Sequence, residues 1–230
     1  MINSPNSWLV PTQQISLAKD DVHVWRATLD PPEADVAHFW TFLSADEQTR
    51  ANRFRFDVHR RRFIVARGVL RKLLGRYLNL KPEAIQFHTT DHGKPYIRHM
   101  LHGSELCFNV SHSHEMALYA FTRDRRLGID IEYRRNIVDL VTIAQHFFAP
   151  SEAELLLSLS PQIQPIAFLN CWTRKEAYIK GLGEGLSHPL NTFTVSLVPG
   201  EPARLLTDDG DATAPIRWQM SSFDAHPEYE

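Results

Sequence analysis

The chain of 230 residues has only two cysteines, Cys107 and Cys171, and neither belongs to a Cys-x-x-Cys pair. Both lie in apolar segments, so we expect reduced cysteines in the core. The twelve histidines include no His-Glu-x-x-His motif and no cysteine–histidine spacing typical of zinc sites. Zinc chemistry therefore has no support in the sequence.

Long apolar runs are missing as well. No run approaches the roughly 18 residues that cross a bilayer, and the N-terminus lacks the basic region and apolar core of a signal peptide. We therefore expect a cytoplasmic protein without a membrane partner. Low-complexity tracts and long linkers are also missing. With 43% apolar and 10% aromatic residues, the chain can bury a substantial core in one large domain or two small ones.

The net charge is only −2, but the basic residues are unevenly distributed. Between Arg50 and Arg76 there are ten lysines or arginines and one acid, Asp57. Such a block is typical of a phosphate-rich partner, either nucleic acid or a phosphorylated small molecule. The apolar spacing over residues 60–78 predicts a long amphipathic helix with basic residues on its other face. For any single basic residue, a solvated helix face is the simpler alternative.

Residues 127–132, with the sequence Leu-Gly-Ile-Asp-Ile-Glu, hold the clearest acidic pattern. Their alternation predicts a short strand with Asp130 and Glu132 on one face, about 7 Å apart. Two buried carboxylates repel each other, and a divalent cation removes that repulsion. Hard oxygen ligands of this kind suit Mg²⁺. An exposed strand face that carries two acids is the alternative.

The order of the predicted elements suggests two similar halves. Each half has a long helix, a turn rich in glycine or proline, and then strands. We therefore predict an α+β fold with two similar α/β lobes, residues 1–135 and 136–230, and an active site in the cleft between them. Capping boxes are predicted for Ser44 with Glu47 and for Ser151 with Glu154. The predicted helices cover residues 34–43, 45–53, 60–78, 137–148, 152–159 and 165–180, and the predicted strands cover 23–29, 84–89, 106–111, 116–122, 127–133, 192–197, 203–206 and 215–223.

The second long helix carries a third candidate carboxylate. Glu176 and Lys180 are four residues apart and share a helix face, as in an ordinary helical ion pair worth about 0.3–0.5 kcal/mol. That helix ends in the glycine-rich segment 181–186, which can approach a ligand closely. Glu176 could complete a Mg²⁺ site with Asp130 and Glu132, while the lysines neutralise phosphate oxygens.

These motifs together resemble the 4′-phosphopantetheinyl transferases of the surfactin-synthetase-activating (Sfp) type. The resemblance covers about residues 20–225, with order and spacing both matching, and five motifs in register make it specific. The matching segments are Gly93-Lys94-Pro95-Tyr96, Phe108-Asn109-Val110-Ser111-His112-Ser113, Leu127-Gly128-Ile129-Asp130-Ile131-Glu132, Phe147-Phe148 ahead of Ser151-Glu152, and Trp172-Thr173-Arg174-Lys175-Glu176-Ala177-Tyr178-Ile179-Lys180-Gly181.

The resemblance implies a pseudo-dimeric fold and a Mg²⁺-dependent enzyme of the holo-[acyl-carrier-protein] synthase type. Such an enzyme transfers the phosphopantetheine arm of coenzyme A to a serine of an apo acyl or peptidyl carrier protein and releases 3′,5′-ADP. The carrier proteins would belong to fatty acid, polyketide or nonribosomal peptide biosynthesis, and the enzyme would act as a monomer. The implied residues are Asp130, Glu132 and Glu176 for Mg²⁺, Glu176 and Lys180 for catalysis, Lys94, Ser111, His112, Lys175 and Lys180 for coenzyme A, and Arg50, Arg53 and Arg62 for its 3′-phosphate.

Two departures from the family and two alternatives stay open at this point. Glu47 stands where a close relative has a further lysine. Relatives usually continue past residues 226–230 into another apolar strand, which predicts either a truncated chain or an uncovered sheet edge. A nucleic-acid-binding protein would explain the basic block but not the acids, and a Mg²⁺-dependent nuclease would use both. The base that activates the serine is either Glu176 or a metal-bound water.

Overall fold

A computed structural model describes residues 8, 15–98, 100–101 and 103–230. Its internal contacts divide the chain into two compact units, and each mixes helices with strands. Among the described residues, the N-terminal unit comprises those from 15 to 129, and the C-terminal unit comprises residues 130–230 together with Trp8. The prediction of a mixed helix-and-sheet fold is therefore confirmed.

The N-terminal unit contains an antiparallel sheet whose strands follow the order β1-β6-β5-β4. The predicted hairpin is confirmed and is longer than expected, because β5 and β6 pair over eight residues, from Leu106↔Arg123 to Ser113↔Met116. The predicted strand 84–89 is reduced to β2, which forms a two-stranded sheet with β3. The strands are β1 (His23–Thr28), β2 (His88–Thr89), β3 (Pro95–Tyr96), β4 (Met100–Leu101), β5 (Ser104–Ser113) and β6 (Met116–Arg123).

The described part of the N-terminal unit also contains the helices α1 (Glu33–Trp40), α2 (Ala45–Ala51) and α3 (Asp57–Leu78), followed by a 3₁₀ turn at Pro82–Ala84. The predicted capping box of α2 is confirmed, since the Ser44 amide donates to Glu47 at 3.0 Å. The end of α3 is set by Asn79, whose left-handed conformation lets the next amide, that of Leu80, donate to the Gly75 carbonyl.

The predicted amphipathic helix is confirmed as α3, whose apolar face belongs to the core of the N-terminal unit. Aromatic residues of β5 and β6 complete that core, with the rings of Tyr77 and Phe121 4.7 Å apart. The buried residues of α3 are Ile64, Val65, Gly68, Leu70, Arg71, Leu73, Leu74, Gly75 and Tyr77.

The C-terminal unit is built on α4 (Leu140–Phe147), α5 (Pro150–Ser158), α6 (Gln164–Leu182) and the antiparallel pair β7 (Phe193–Val195) and β8 (Leu205–Asp208), followed by α7 (Ala214–Arg217). Two predictions here are wrong. The segment 215–223 begins as a helix, because Pro215 in the first turn has no amide to donate to a strand ladder. The carboxylate that caps α5 is Glu152, which accepts from the Ala149 amide at 2.9 Å, and Glu154 has no such role.

The acidic segment 127–132 is not a sheet strand as predicted. Its last residue pairs with the end of the chain: the Glu132 amide donates to the Glu230 carbonyl at 2.8 Å, and the Glu230 amide donates to the Glu132 carbonyl at 2.9 Å. Tyr133 and Tyr229 form an isolated antiparallel bridge beside them. Pairing with a distant segment satisfies this backbone without a regular ladder.

Two further sequence expectations concern the cysteines and the membrane. Both cysteines are free thiols, Cys171 buried and Cys107 half-buried. Among the described residues, the structure contains no helix with the length and apolar character required to span a bilayer.

Candidate active site

The first half of the acidic segment is tied to the N-terminal unit through its backbone. The Ile129 amide donates to the buried Asn109 side chain at 2.9 Å, and the Lys94 ammonium group donates to the Leu127 carbonyl at 3.1 Å. Asn109 lies on β5 and Lys94 in the turn before β3. These two side chains therefore fix the residues that lead into Asp130.

In the C-terminal unit, Asp130 faces a basic side chain of α6. The Lys180 ammonium group donates to Asp130 Oδ1 in a short ion pair. The Asp130 side chain is only 4% exposed, whereas Lys180 is 26% exposed. Because a carboxylate and an ammonium group meet at a partly water-excluded position, their attraction is screened less than that of a surface pair.

Glu176 lies one helical turn before Lys180 and belongs to the same charged cluster. Burial raises the pKa of Glu176, the negative charge of Asp130 raises it further, and Glu132 adds a smaller effect of the same sign. Lys180 opposes these effects because its positive charge favours the ionised carboxylate. The structure thus brings together the four residues Asp130, Glu132, Glu176 and Lys180 in one charged cluster.

The chemistry of this donor set fits a divalent cation. Glu176, whose pKa is raised by burial and by the charges of Asp130 and Glu132, would be stabilised in its ionised form by a hard cation that accepts oxygen ligands. Within residues 8, 15–98, 100–101 and 103–230, no three His, Cys, Asp or Glu side chains are spaced as in a formed metal site. In the described arrangement, one oxygen of Asp130 is instead held by Lys180.

Lys175 corrects one expectation from the sequence. Its side chain is fully buried, and its ammonium group donates to the carbonyls of Leu190 at 2.7 Å and Phe193 at 2.5 Å. The third partner is Glu152 Oε2 at 2.8 Å. Because all three donors are satisfied inside the C-terminal unit, Lys175 is not placed to contact coenzyme A.

Ser111 and His112, the other expected coenzyme contacts, are adjacent residues at the end of β5. Ser111 pairs with Leu118 and is buried, whereas His112 pairs with Ala117 and is exposed. Successive strand residues point to opposite faces, so the two side chains lie on different faces of the sheet. Burial lowers the pKa of Lys94, the remaining expected contact in this unit.

The similarity of this chain to known proteins extends over the residues of this charged cluster. The family model described as the 4′-phosphopantetheinyl transferase superfamily matches residues 126–229, which include the whole acidic segment and α6. A second model, 4′-phosphopantetheinyl transferase, N-terminal, matches residues 27–123. The 4′-phosphopantetheinyl transferase HetI of a Nostoc species is 43% identical over 202 residues, which cover 88% of this chain and 85% of that protein.

This chain belongs to the 4′-phosphopantetheinyl transferase superfamily. It is a transferase that moves a 4′-phosphopantetheinyl group. Two further relatives are the 4′-phosphopantetheinyl transferase psf-1 of Bacillus pumilus, 33% identical over 82% of this chain and 77% of that protein, and the 4′-phosphopantetheinyl transferase Sfp of Bacillus subtilis strain 168, 29% identical over 83% and 86%. The comparisons favour this family over the nucleic-acid alternatives.

The arginines that the resemblance assigns to a 3′-phosphate differ in their surroundings. Arg50 and Arg53 of the transferase are exposed, and the Arg50 guanidinium lies 5.2 Å from the centre of the Phe63 ring. Arg62 is 18% exposed and pairs with Asp30 at 2.7 Å and Glu115 at 3.4 Å. Arg50 and Arg53 are therefore better placed than Arg62 to meet a phosphate.

Glu47 has a structural role that explains why it differs from a phosphate-binding lysine. It is buried, and its carboxylate contacts Arg71 at 2.7 Å and Arg67 at 3.4 Å while capping α2. Arg71 in turn donates to the carbonyls of Pro82 and Ile85. This network joins α2, α3 and the following turn, so Glu47 faces the interior of the transferase rather than a ligand.

Two buried residues of the site's surroundings, Asn109 and Glu152, have no role that the sequence predicts. Asn109 holds the Ile129 amide, and Glu152 bonds the Val195 amide at 2.7 Å as well as Lys175. Both are buried polar groups. Asn109 stands inside an apolar strand segment, and that pattern is the signal that could have marked it. For Glu152, the signal is Pro150 at the first position of α5, which makes Glu152 the third helical residue.

Proposed function

We propose that this transferase moves the 4′-phosphopantetheine group of coenzyme A to a serine of an apo acyl or peptidyl carrier protein, in a Mg²⁺-dependent reaction that releases 3′,5′-ADP. One observation carries the proposal: Glu176, Asp130 and Glu132 form a half-buried acidic cluster beside Lys180. A cluster of acids repels an anion that comes alone, but it can bind a cation that in turn holds a phosphoryl group.

The reaction is a nucleophilic substitution at phosphorus that cleaves the pyrophosphate linkage of coenzyme A. The serine oxygen forms a bond to the β-phosphorus of coenzyme A, and the bond from that phosphorus to the bridging oxygen of the 3′,5′-ADP group breaks. The serine proton must leave the nucleophile, and negative charge develops on the departing oxygen. The protein therefore has to supply a proton acceptor and positive charge at the pyrophosphate.

Glu176 is the candidate proton acceptor. The environment that raises its pKa brings that value closer to neutral pH, where a carboxylate accepts a proton more readily. Lys180, one turn away on the same face of α6, supplies a mobile positive charge. Its exchange from Asp130 to a phosphate oxygen would place the ammonium group where charge develops.

Asp130, Glu132 and Glu176 would hold the Mg²⁺ ion. A bound Mg²⁺ would supply Lewis-acid polarisation of the pyrophosphate. Glu176 is then both a metal ligand and the base. The two roles are compatible because one carboxylate oxygen is enough to bind the metal, and the base can act through a water molecule. Coenzyme A would be contacted by Lys94, Ser111, His112 and Lys180, and its 3′-phosphate by Arg50 and Arg53. The pseudo-dimeric arrangement of two similar lobes is part of the same proposal.

The decisive experiment incubates the protein with an apo carrier protein, coenzyme A and Mg²⁺ and measures the intact mass of the carrier. We expect the mass of one phosphopantetheine group to be added and 3′,5′-ADP to appear in equal amount. Both should require Mg²⁺ and should stop in EDTA. An unmodified carrier in the presence of active coenzyme and metal would reject the proposed acceptor.

Asp130→Ala and Glu176→Gln test the acidic cluster. We expect both variants to fold and to lose turnover, because these groups face the site and not an apolar core. Glu154→Gln, an exposed acid of α5, is the matched control and should retain turnover. Normal carrier modification by Asp130→Ala at saturating Mg²⁺ would remove Asp130 from the metal ligands.

A further inference from the structure

Lys175, the chain neighbour of the proposed metal ligand Glu176, forms a buried ion pair with Glu152. Lys175 is 0% exposed and the Glu152 side chain is 4% exposed, with 2.8 Å between Lys175 Nζ and Glu152 Oε2. We propose that this pair is a positioning device that fixes the rotation of α6 and thereby places Glu176 and Lys180 for the transfer. The inference rests on the proposed function of that site.

The pair connects α6 to three separate pieces of backbone. Glu152 accepts from the Ala149 amide at the start of α5 and from the Val195 amide of β7. Lys175 donates to the carbonyls of Leu190 and Phe193, which begin and follow the last 3₁₀ turn before β7. Its ammonium group also lies 4.2 Å from the centre of the Phe193 ring. A single side chain of α6 is thus held from several directions.

Packing of α6 against its neighbours does not require so many hydrogen bonds to one buried side chain. A buried ion pair usually contributes little net stability, because desolvation of the two charges offsets their attraction. An apolar pair of similar volume would fill the same space without that cost. A network of directed hydrogen bonds, in contrast, admits only one rotational setting of the helix.

Helix geometry relates this setting to the site. Lys175 and Glu176 are neighbours, so their side chains leave the helix about 100° apart, whereas Glu176 and Lys180 are separated by only about 40°. One side of α6 therefore faces the anchor and another faces Asp130. A rotation of about 10° moves a side-chain end that lies about 6 Å from the axis by about 1 Å. A shift of that size is enough to impair catalysis strongly.

The test uses Lys175→Met, Glu152→Gln and the double variant. Lys175→Met alone leaves a buried unpaired carboxylate and is expected to destabilise the fold, whereas the double variant removes both charges. Tyr178→Phe is the matched control, because it removes a buried hydrogen bond of α6, to Asp208 at 2.5 Å, without altering the pair. Urea titration first establishes a temperature at which every variant is folded in the absence of urea, and all variants are compared at that temperature.

Two measurements follow on each folded variant. The first is the affinity of EDTA-treated protein for Mg²⁺ by calorimetry. The second is the coupling between Lys180 and Asp130, measured without metal by a double-mutant cycle of Lys180→Met and Asp130→Asn in each background. Turnover is divided into kcat and the KM for the carrier protein.

We expect the pair variants, including the double, to bind Mg²⁺ about 10–100-fold more weakly, as is typical when residues behind metal ligands are removed. The same variants should lose the Lys180–Asp130 coupling and show a lower kcat, and Tyr178→Phe should retain all three properties. Folded pair variants with unchanged Mg²⁺ affinity and unchanged coupling would overturn the inference. If the wild-type protein bound no Mg²⁺, the proposed function would fail, and the coupling cycle would still decide whether the pair positions α6.

Discussion

At the scale of single residues, Lys175 and Glu176 show how neighbours in sequence acquire opposite roles. Lys175 is fully buried with three satisfied donors, whereas Glu176 is half-buried with a raised pKa beside other carboxylates. The sequence marks both as charged residues of one helix. Only the rotation of α6 about its axis determines which of them faces the site.

Glu176 should be a source of instability in the metal-free protein. Because burial and Asp130 raise its pKa in the folded state, ionised Glu176 destabilises the fold, and the penalty develops as the pH rises above the ordinary value of 4.5. In EDTA, Glu176→Gln should therefore increase the free energy of unfolding at pH 7 and lose this advantage below pH 4.5. Urea denaturation across this pH range measures the difference.

Added Mg²⁺ supplies the control for that prediction. The wild-type protein should gain stability from the metal, since ligands that bind only the folded state stabilise it, and Glu176→Gln should gain less. If Glu176→Gln were less stable than the wild type at pH 7 in EDTA, the assignment of Glu176 to a repulsive acidic cluster would be wrong.

Arg53 is expected to distinguish coenzyme A from dephospho-coenzyme A. A charge-assisted phosphate contact contributes about 1.5–3 kcal/mol, so the wild type should bind coenzyme A more than tenfold better, and Arg53→Ala should reduce that preference. Arg55→Ala is the matched control, because Arg55 is exposed in the same segment and its guanidinium lies over the Phe56 ring. Unchanged preference in Arg50→Ala and Arg53→Ala alike would move the 3′-phosphate site elsewhere, with His112 the next candidate.

At the scale of secondary-structure elements, the contact of α1 with α3 depends on one glycine. A Cβ atom at Gly68 would lie 2.5 Å from Cβ and 2.8 Å from Cδ1 of Phe39. Both residues are helical, so neither can move without moving its helix. The close approach of the two helices therefore requires a residue without a side chain at position 68.

Gly68→Ala should consequently destabilise the protein. Glycine to alanine inside a helix ordinarily stabilises by about 0.5–1 kcal/mol, but overpacking costs about 1–3 kcal/mol and should dominate here. Lys72→Ala on the exposed face of α3 is the control and should change the free energy of unfolding by less than about 0.5 kcal/mol. If Gly68→Ala and the wild type had equal free energies of unfolding in urea, α1 and α3 would be able to move apart at little cost, and the requirement for glycine would be wrong.

At the scale of the whole molecule, the charge distribution matters more than the net charge. The total is only −2, yet the segment from Arg50 to Arg76 is strongly basic and the proposed catalytic cluster is acidic. Exposed basic residues attract an acidic partner over about one Debye length, whereas the acids of the cluster are partly shielded by Lys180. An acidic carrier protein should therefore be guided to the enzyme mainly by charge.

This guidance should be sensitive to salt. Because charge acts mainly on the rate of encounter, the KM for the carrier protein should rise with ionic strength much more than the maximal rate falls. Steady-state kinetics at several salt concentrations, with coenzyme A and Mg²⁺ saturating, measures both quantities. Competition by duplex DNA equal to that of an apo carrier protein at physiological salt would favour the nucleic-acid alternative instead.

The sequence by itself determined the elements with strong local signals. The 3.6-residue period predicted α3 and α6, the Ser44–Glu47 capping box marked the start of α2, and the alternating segments predicted the hairpin of β5 and β6. These signals are local, since each depends on residues within a few positions of one another. The family was also determined at this level, because five motifs in order carry it.

Tertiary structure alone decided which charged residues are structural and which face the site. The carboxylate of Glu152 reaches the Val195 amide of β7 as well as capping α5, and Lys175 is withdrawn from the coenzyme because distant carbonyls bind it. Likewise, residues 132–134 pair with residues 228–230 almost a hundred positions away. Contacts of this kind join segments that have no common local pattern, so their partners are fixed only when the chain has folded.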